Sequence, residues 1–124
     1  MTRPPERRFS FRSALPFTCG VAGLALFAHG AAAQSSQTGT VTRIHVRATD
    51  GLVYFFVDGP RTTAPACATQ AYWVIGNEAS TAGRQQLALL MMAEAAGKAV
   101  IVSGSGTCAR RPDAENVVEI AVSD

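Results

Sequence analysis

The chain has 124 residues, of which 48% are hydrophobic and 16% are charged, a composition typical of one small globular domain and not of a disordered tail. Its net charge of +2 comes from the N-terminus, because four of the eleven basic residues and one of the nine acidic residues precede Gln34. The remainder holds seven basic and eight acidic residues, and this balance excludes a basic nucleic-acid-binding body.

Residues 1–33 have the three regions of an export signal: a basic start, an apolar stretch at 14–28 and a small-residue end at 31–33. We predict a signal peptide cleaved after Ala33 and a mature protein that is exported, either to the periplasm or out of the cell. A membrane anchor is the alternative, but the apolar stretch is shorter than the roughly 20 residues that a spanning helix needs. The mature chain is therefore expected not to bind a membrane.

Two cysteines, Cys67 and Cys108, remain after cleavage. An even pair in an exported chain indicates one disulfide, which in the chain-entropy model would stabilise the fold by about 4 kcal/mol. A zinc site is the alternative, but C-x-x-C spacing is missing and His45 is the single histidine of the mature chain. We therefore predict no metal and no other cofactor.

Five segments of the mature chain have strand signals. The predicted strands lie at 41–48, 52–57, 71–76, 100–103 and 117–122. In the first strand, the residues of one face alternate with charged or polar residues of the other, which predicts Ile44 and Val46 on its inner face and His45 on its outer, solvated face. The second is continuously β-prone, which predicts a strand covered on both faces. The last is expected to point Val118, Ile120 and Val122 inward.

The segments between these strands also predict structure. Residues 34–39 are polar and aperiodic, so we expect a flexible leader before a single domain at 40–124. A helix is predicted between the third and fourth strands, capped by Ser80 or Thr81 at its start and by Gly97 at its end. Its core-facing residues are expected to be Leu87, Leu90 and Met91. Residues 104–106 predict a bulge or barrel corner.

The predicted order is three strands, a helix and two strands. This order is typical of a mainly β, five-stranded OB-fold-like barrel with one helix between strands 3 and 4, which is the fold we predict. An open α+β sheet with the helix packed on one face is the alternative. Local patterns favour neither, since both arrangements use the same elements in the same order.

Motifs for catalysis are weak. The string at 102–106 lacks the first glycine of a G-x-S-x-G nucleophile turn, and a disulfide removes the Cys67 thiol. We therefore predict that the protein is not an enzyme. A small acidic group, Asp113, Glu115 and Glu119, lacks the spacing of a calcium loop. It is interpreted as a solvated turn or as ion-pair partners of Arg110 and Arg111.

Barrels of this type often bind oligonucleotides or oligosaccharides on one face. The acidic balance and the predicted export disfavour nucleic acid. A saccharide needs aromatic surfaces and hydrogen-bonding groups, and the candidate surfaces are Tyr54, Tyr72 and Trp73, of which Trp73 is better suited to the core. The alternative is a small periplasmic structural or protein-interaction domain that binds through a sheet edge or its helix, without glycan binding.

Several short motifs occur along the mature chain: residues 65–69 (PACAT), Trp73, the helix at 85–97, residues 100–102 (VIV) and residues 106–108 (GTC). With this set, residues 39–122 resemble the small exported OB-fold proteins related to the cell-binding B subunits of bacterial AB5 toxins, in particular the subtilase-cytotoxin and pertussis-like group. The resemblance implies the same barrel, a disulfide from the loop before the third strand (Cys67) to the end of the fourth-strand region (Cys108), a homo-pentameric ring and glycan binding. The candidate glycan-binding residues, chosen for their chemistry beside the disulfide loop, are Thr62, Thr63 and Tyr72.

Overall fold

The computed structural model describes residues 34–124, which form a closed five-stranded barrel with one helix. The elements are β1 (Ser36–Val46), β2 (Val53–Val57), β3 (Trp73–Ile75), α1 (Thr81–Ala96), β4 (Ala99–Gly104) and β5 (Asn116–Val122). The strands close in the order β1-β2-β3-β5-β4, with β4 paired back to β1. The predicted OB-fold-like barrel is confirmed, and the open sheet was the wrong alternative. The predicted signal peptide lies outside the described residues.

The start of β1 corrects the predicted flexible leader at 34–39. Ser36 to Thr40 pair with residues of β4, and the side chains of Ser35 and Gln37 are buried. Buried polar groups need hydrogen-bond partners, and here Glu115 and Trp73 supply them from distant parts of the chain. The polar stretch is therefore part of the barrel and not a linker.

Two residues predicted on the inner faces of their strands lie at the surface, one because its strand ends there and one because of a register shift. Val46 is the last residue of β1 and is 64% exposed. In β5, the register with β4 shifts so that Val118 has no partner opposite it, and Val118 is 54% exposed while Val117 faces the core. A bulge of this kind interrupts the two-residue alternation from which the inner face was predicted. The shift falls at Gly104, as the predicted bulge at 104–106 requires.

Helix α1 covers the barrel core with one face. Ser80 caps its first turn by accepting a hydrogen bond from the backbone of Gly83, and Gly97 ends it in the left-handed conformation at φ 64°. Leu90 and Ala93 are fully buried in the main core cluster, and Leu87 packs against it. Met91 was wrongly predicted to face the core, because the step from Leu90 turns its side chain about 100° around the helix, to the solvent side.

Strand β2 alternates instead of being covered on both faces. Val53, Phe55 and Val57 are buried in the core, whereas Tyr54 and Phe56 are half-buried on the outside of the barrel. The continuous β-prone run thus encodes one aliphatic or aromatic inner face and one aromatic outer face. The aromatic outer face of β2 forms part of the candidate site described below.

The predicted disulfide between Cys67 and Cys108 is present. It joins the loop between β2 and β3 to the loop between β4 and β5. Stable disulfides are typical of oxidising compartments outside the cytosol. Within residues 34–124, α1 is not long and apolar enough to cross a membrane.

Candidate functional site

Four aromatic side chains form one continuous surface outside the barrel, which we call the aromatic face: His45, Tyr54, Phe56 and Tyr72. The His45 and Tyr54 rings lie parallel with their centroids 4.6 Å apart. The Tyr72 ring lies 5.0 Å from Tyr54 and 5.7 Å from Phe56, in tilted and edge-on arrangements. Such pairs contribute about 0.5–1.5 kcal/mol each beyond area burial. The rings therefore hold one another in place.

Strand register brings these rings together. His45 lies opposite Tyr54 in the β1–β2 pair, and Arg43 lies opposite Phe56. Tyr72 precedes β3, which pairs with β2. A small second core of Leu52, Val74 and Ala114 packs beneath Tyr54 and Tyr72. The face is thus built on paired strands with buried side chains underneath.

Tyr72 is anchored at its hydroxyl end by the β4–β5 loop. Its hydroxyl donates a hydrogen bond to Asp113 Oδ1 at 3.0 Å, and Arg111 Nε donates to the same hydroxyl at 2.7 Å and to Asp113 at 2.9 Å. The hydrogen bond from Arg111 holds the pKa of Asp113 below its usual value. Burial, followed by the hydrogen bond with Asp113, raises the pKa of Tyr72. Tyr72 therefore stays neutral and Asp113 ionised at neutral pH.

The β1–β2 loop lies at another side of the aromatic face. Arg47 at its start makes two hydrogen bonds to the carboxylate of Asp50, and this pairing lowers the pKa of Asp50. Arg110 of the β4–β5 loop donates to the Asp50 carbonyl at 3.0 Å and pairs with Glu78 at 3.2 Å. The two loops beside the aromatic face are therefore tied to each other.

A buried polar network occupies the barrel end where β1 begins. The fully buried carboxylate of Glu115 accepts hydrogen bonds from Ser35 Oγ, from Arg61 and, at 2.6 Å, from the backbone of Gly106. A side chain at Gly104 would overlap this carboxylate, so the close approach requires glycine. Sequence reasoning missed this network. It supports the barrel and does not contact the aromatic rings named above.

Trp73 is part of the same barrel end. It is fully buried, in agreement with the core interpretation, and its Nε1 donates to Gln37 Oε1 at 2.7 Å. The guanidinium of Arg61 lies 3.7 Å from the centre of its ring. Trp73 is therefore not a surface on which a ligand could stack.

Of the three predicted ligand-binding residues, Tyr72 lies in the aromatic face. Thr62 is tied to the start of β1, since its Oγ accepts from the Ser36 backbone at 2.9 Å and its backbone N–H donates to the Ser36 carbonyl at 2.8 Å. Thr63 is exposed in the same loop. Among residues 34–124, no hydrogen bond or ring contact joins Thr62 or Thr63 to the aromatic face. Their role in binding stays a prediction.

His45 and Phe56 belong to the aromatic face and Arg43 lies against Phe56, but the sequence interpretation assigned none of the three to a binding surface. His45 is half-buried by stacking on Tyr54 and is not simply solvated. The position of Phe56 beside Tyr54 could have been predicted from the sequence, because alternate residues of a strand at 53–57 place both side chains on the same face. The neighbouring strand and its register were needed to add His45 and Arg43.

The acidic group at 113–119 divides into three different environments. Asp113 pairs with Arg111, as predicted, whereas Glu115 is buried with Arg61 and Glu119 is exposed. The expectation of a solvated turn is therefore wrong for Glu115. In the part of the chain that the structure describes, no three His, Cys, Asp or Glu side chains are grouped as metal ligands, and no pocket is present. The candidate site is an open surface.

Comparisons of the chain with protein-family models, with curated proteins and with solved structures find no match. The resemblance to AB5 B subunits thus rests on the motifs in the sequence. The aromatic face, by contrast, is observed directly in the packing of this chain's own side chains.

Replacing Asp113 with asparagine is expected to flatten the acid dependence of stability. Because the folded pKa of Asp113 lies below the unfolded value of about 3.9, its ionised form stabilises the fold above that pH. This contribution is lost as the pH falls through the folded pKa. Urea unfolding of both proteins from pH 7 to pH 2 should show a difference that is largest above pH 4 and shrinks below it. A difference independent of pH would contradict the assignment.

Proposed function

We propose that this protein is an exported, non-enzymatic binding protein whose aromatic face binds a saccharide. The observation that carries the proposal is the set of four rings held together on the outside of the barrel, where they are half-buried and available to a ligand. The Cys67–Cys108 disulfide, together with the predicted signal peptide, supports export.

The chemistry of the surface suits a sugar. Aromatic rings offer flat apolar area against the C–H faces of a pyranose, and fixed polar groups at the edge can bond its hydroxyls. Such polar groups are present beside the rings, because the Tyr72 hydroxyl, Asp113 and Arg111 are already oriented by hydrogen bonds to one another. Little side-chain ordering would be required on binding.

The position of the surface in the fold gives independent support. OB-fold barrels bind oligosaccharides and oligonucleotides on the face around strands 2 and 3, between the β1–β2 and β4–β5 loops. The aromatic face occupies β1, β2 and the residue before β3, beside both of these loops. Nucleic acid is less favoured, since Arg47 and Arg111 are paired with carboxylates and the mature chain is slightly acidic.

Assembly would determine the useful strength of binding. An open face without a pocket buries little of a ligand, so a single site is expected to be weak. A homo-pentameric ring, which the resemblance to AB5 B subunits implies, would present several sites together. Linked sites can raise avidity by about 10²- to 10⁴-fold without any new contact.

Tyr54→Ala is expected to lower saccharide affinity by about tenfold or more, because truncating a central aromatic side chain at a binding site often costs about 2 kcal/mol or more. A glycan array would identify a ligand for the parent protein, and titration would compare the variants. Met91→Ala is the matched control, since Met91 is exposed on α1. Circular dichroism would establish that both variants fold.

Light scattering on the same preparation would give the oligomeric state. A strict monomer that binds no glycan at high protein concentration would contradict the proposal. The protein-interaction domain would then be the better account. An effect of Met91→Ala equal to that of Tyr54→Ala would also contradict it, because the binding surface would then not be the aromatic face.

A further inference from the structure

Arg43 differs from the other arginines around the barrel. Arg47, Arg61, Arg110 and Arg111 each form an ion pair with a carboxylate. In residues 34–124, the Arg43 guanidinium has neither an ion-pair partner nor a hydrogen-bond partner, and its side chain is exposed. Its donors are therefore not used by any residue of 34–124 and can bind a group that does not belong to this part of the chain.

Arg43 is nevertheless held at a defined place. Its guanidinium carbon lies 4.2 Å from the centre of the Phe56 ring, a cation–π distance, and Arg43 lies opposite Phe56 in the β1–β2 register. Because Phe56 belongs to the aromatic face, the free donors lie at the edge of that face. The ring fixes the guanidinium without using its N–H groups.

Charge around the aromatic face favours an anion at this edge. Asp50 is compensated by Arg47 and Asp113 by Arg111, whereas Asp58, just after β2, is held by hydrogen bonds from Thr40 and has no cation partner within residues 34–124. Arg43 is then an uncompensated positive charge on a mature chain whose overall balance is slightly negative. An anionic ligand would meet attraction here and no unpaired carboxylate from Asp50 or Asp113.

We propose that Arg43 binds an oxyanion carried by the ligand while a sugar ring of the same ligand stacks on the aromatic face. This inference rests on the proposed function and specifies its ligand class as an anionic saccharide. The planar guanidinium presents parallel N–H donors that match a carboxylate, a sulfate ester or a phosphate ester. A lysine at this position would supply the charge but not the two-pronged geometry or the stacking on Phe56.

The test measures binding of the folded mature protein to four polymers of different chemistry. Polygalacturonate supplies carboxylates, dextran sulfate supplies sulfate esters, and unmodified dextran is neutral. Single-stranded poly(dT) supplies phosphates, and its bases, instead of a pyranose ring, would stack on the aromatic face. The variants are Arg43→Gln and Arg43→Lys. Arg84→Gln is the matched control, since Arg84 is an exposed arginine on α1 and its loss changes the net charge equally.

The parent protein is expected to bind one of the anionic polysaccharides at least tenfold more tightly than dextran. Arg43→Gln should remove that preference, Arg43→Lys should retain part of it, and Arg84→Gln should leave it unchanged. Equal binding of charged and neutral polysaccharides would overturn the oxyanion site, as would equal losses in Arg43→Gln and Arg84→Gln. The preferred anionic polymer identifies carboxylate or sulfate as the group bound.

The remaining outcomes separate this inference from the proposed function. If Tyr54→Ala abolishes binding to dextran while Arg43→Gln has no effect on any polymer, the aromatic face stands and the oxyanion site is wrong. If poly(dT) binds more tightly than every polysaccharide and Arg43→Gln weakens it, the saccharide assignment is overturned and the anion is a nucleic-acid phosphate. If no polymer binds, the oxyanion site is rejected together with the saccharide face.

Discussion

Replacing Cys67 and Cys108 together with serine is expected to lower the free energy of unfolding by about 2 to 5 kcal/mol. The disulfide joins two long loops that contain little regular structure. Between these loops, the backbone of Gln70 donates to Asp113 at 3.0 Å and Tyr72 bonds to Asp113. Without the bond, the loops would gain freedom in the unfolded chain and would be held in the folded chain by these hydrogen bonds, by the bond from Arg111 to the Tyr72 hydroxyl and by the Arg61–Glu115 ion pair.

Urea unfolding measures the change, with Ala109→Ser as the control. Ala109 is exposed in the same β4–β5 loop, so its replacement should change stability by no more than about 0.5 kcal/mol. Alkylation followed by intact-mass analysis should find no free thiol in the exported parent protein and a mature N-terminus at Gln34. Two reactive thiols in that material, or a double variant as stable as the parent, would refute the structural importance of the bond.

Much of the fold could be predicted because its signals are local. The caps of α1 at Ser80 and Gly97 depend on neighbouring residues alone, and the element order needs only approximate strand positions. The cysteine pair, together with the predicted export signal, was sufficient to predict the disulfide. The predictions of these features stay correct even when the predicted strand ends are wrong by several residues. For example, β3 covers only Trp73–Ile75, whereas the predicted strand ran from 71 to 76.

The errors occur where distant parts of the chain decide the outcome. Ser35 was assigned to a flexible leader because its bonding partner, Glu115, is 80 residues away in the sequence. Val118 was assigned to the core because the bulge that exposes it depends on pairing with β4. Alternation within one strand contains no information on such shifts.

The candidate site was partly predictable for the same reason. Tyr54 and Tyr72 were candidates by residue type, but two tyrosines alone do not define a surface. His45 and Arg43 join them through the β1–β2 register, which determines which residues of the two strands lie opposite each other. Thr62 was a candidate for its hydroxyl, and the structure uses that hydroxyl to accept the Ser36 N–H.

Replacing Glu115 with alanine is expected to destabilise the protein by about 3 to 5 kcal/mol, a loss typical of removing one partner of a buried ion pair. The Arg61 side chain is 14% exposed and lies against the Trp73 ring, so its charge could not easily return to water. Ser35 Oγ and the Gly106 N–H would also lose their acceptor. An uncompensated cation and two unpaired donors would remain at the barrel end.

A double-mutant cycle with Arg61→Ala would separate the ion pair from the other losses. If the buried charge causes the cost, Glu115→Ala should be less harmful when Arg61 is already alanine, and the two single effects should not add. Glu119→Ala is the control because Glu119 is an exposed glutamate in β5, the strand that follows Glu115, and it should change stability by no more than about 0.5 kcal/mol. A Glu115→Ala variant as stable as this control would show that the carboxylate does not stabilise the start of β1, and that the pairing of Ser36–Thr40 with β4 and the Trp73–Gln37 hydrogen bond are sufficient to hold it in the barrel.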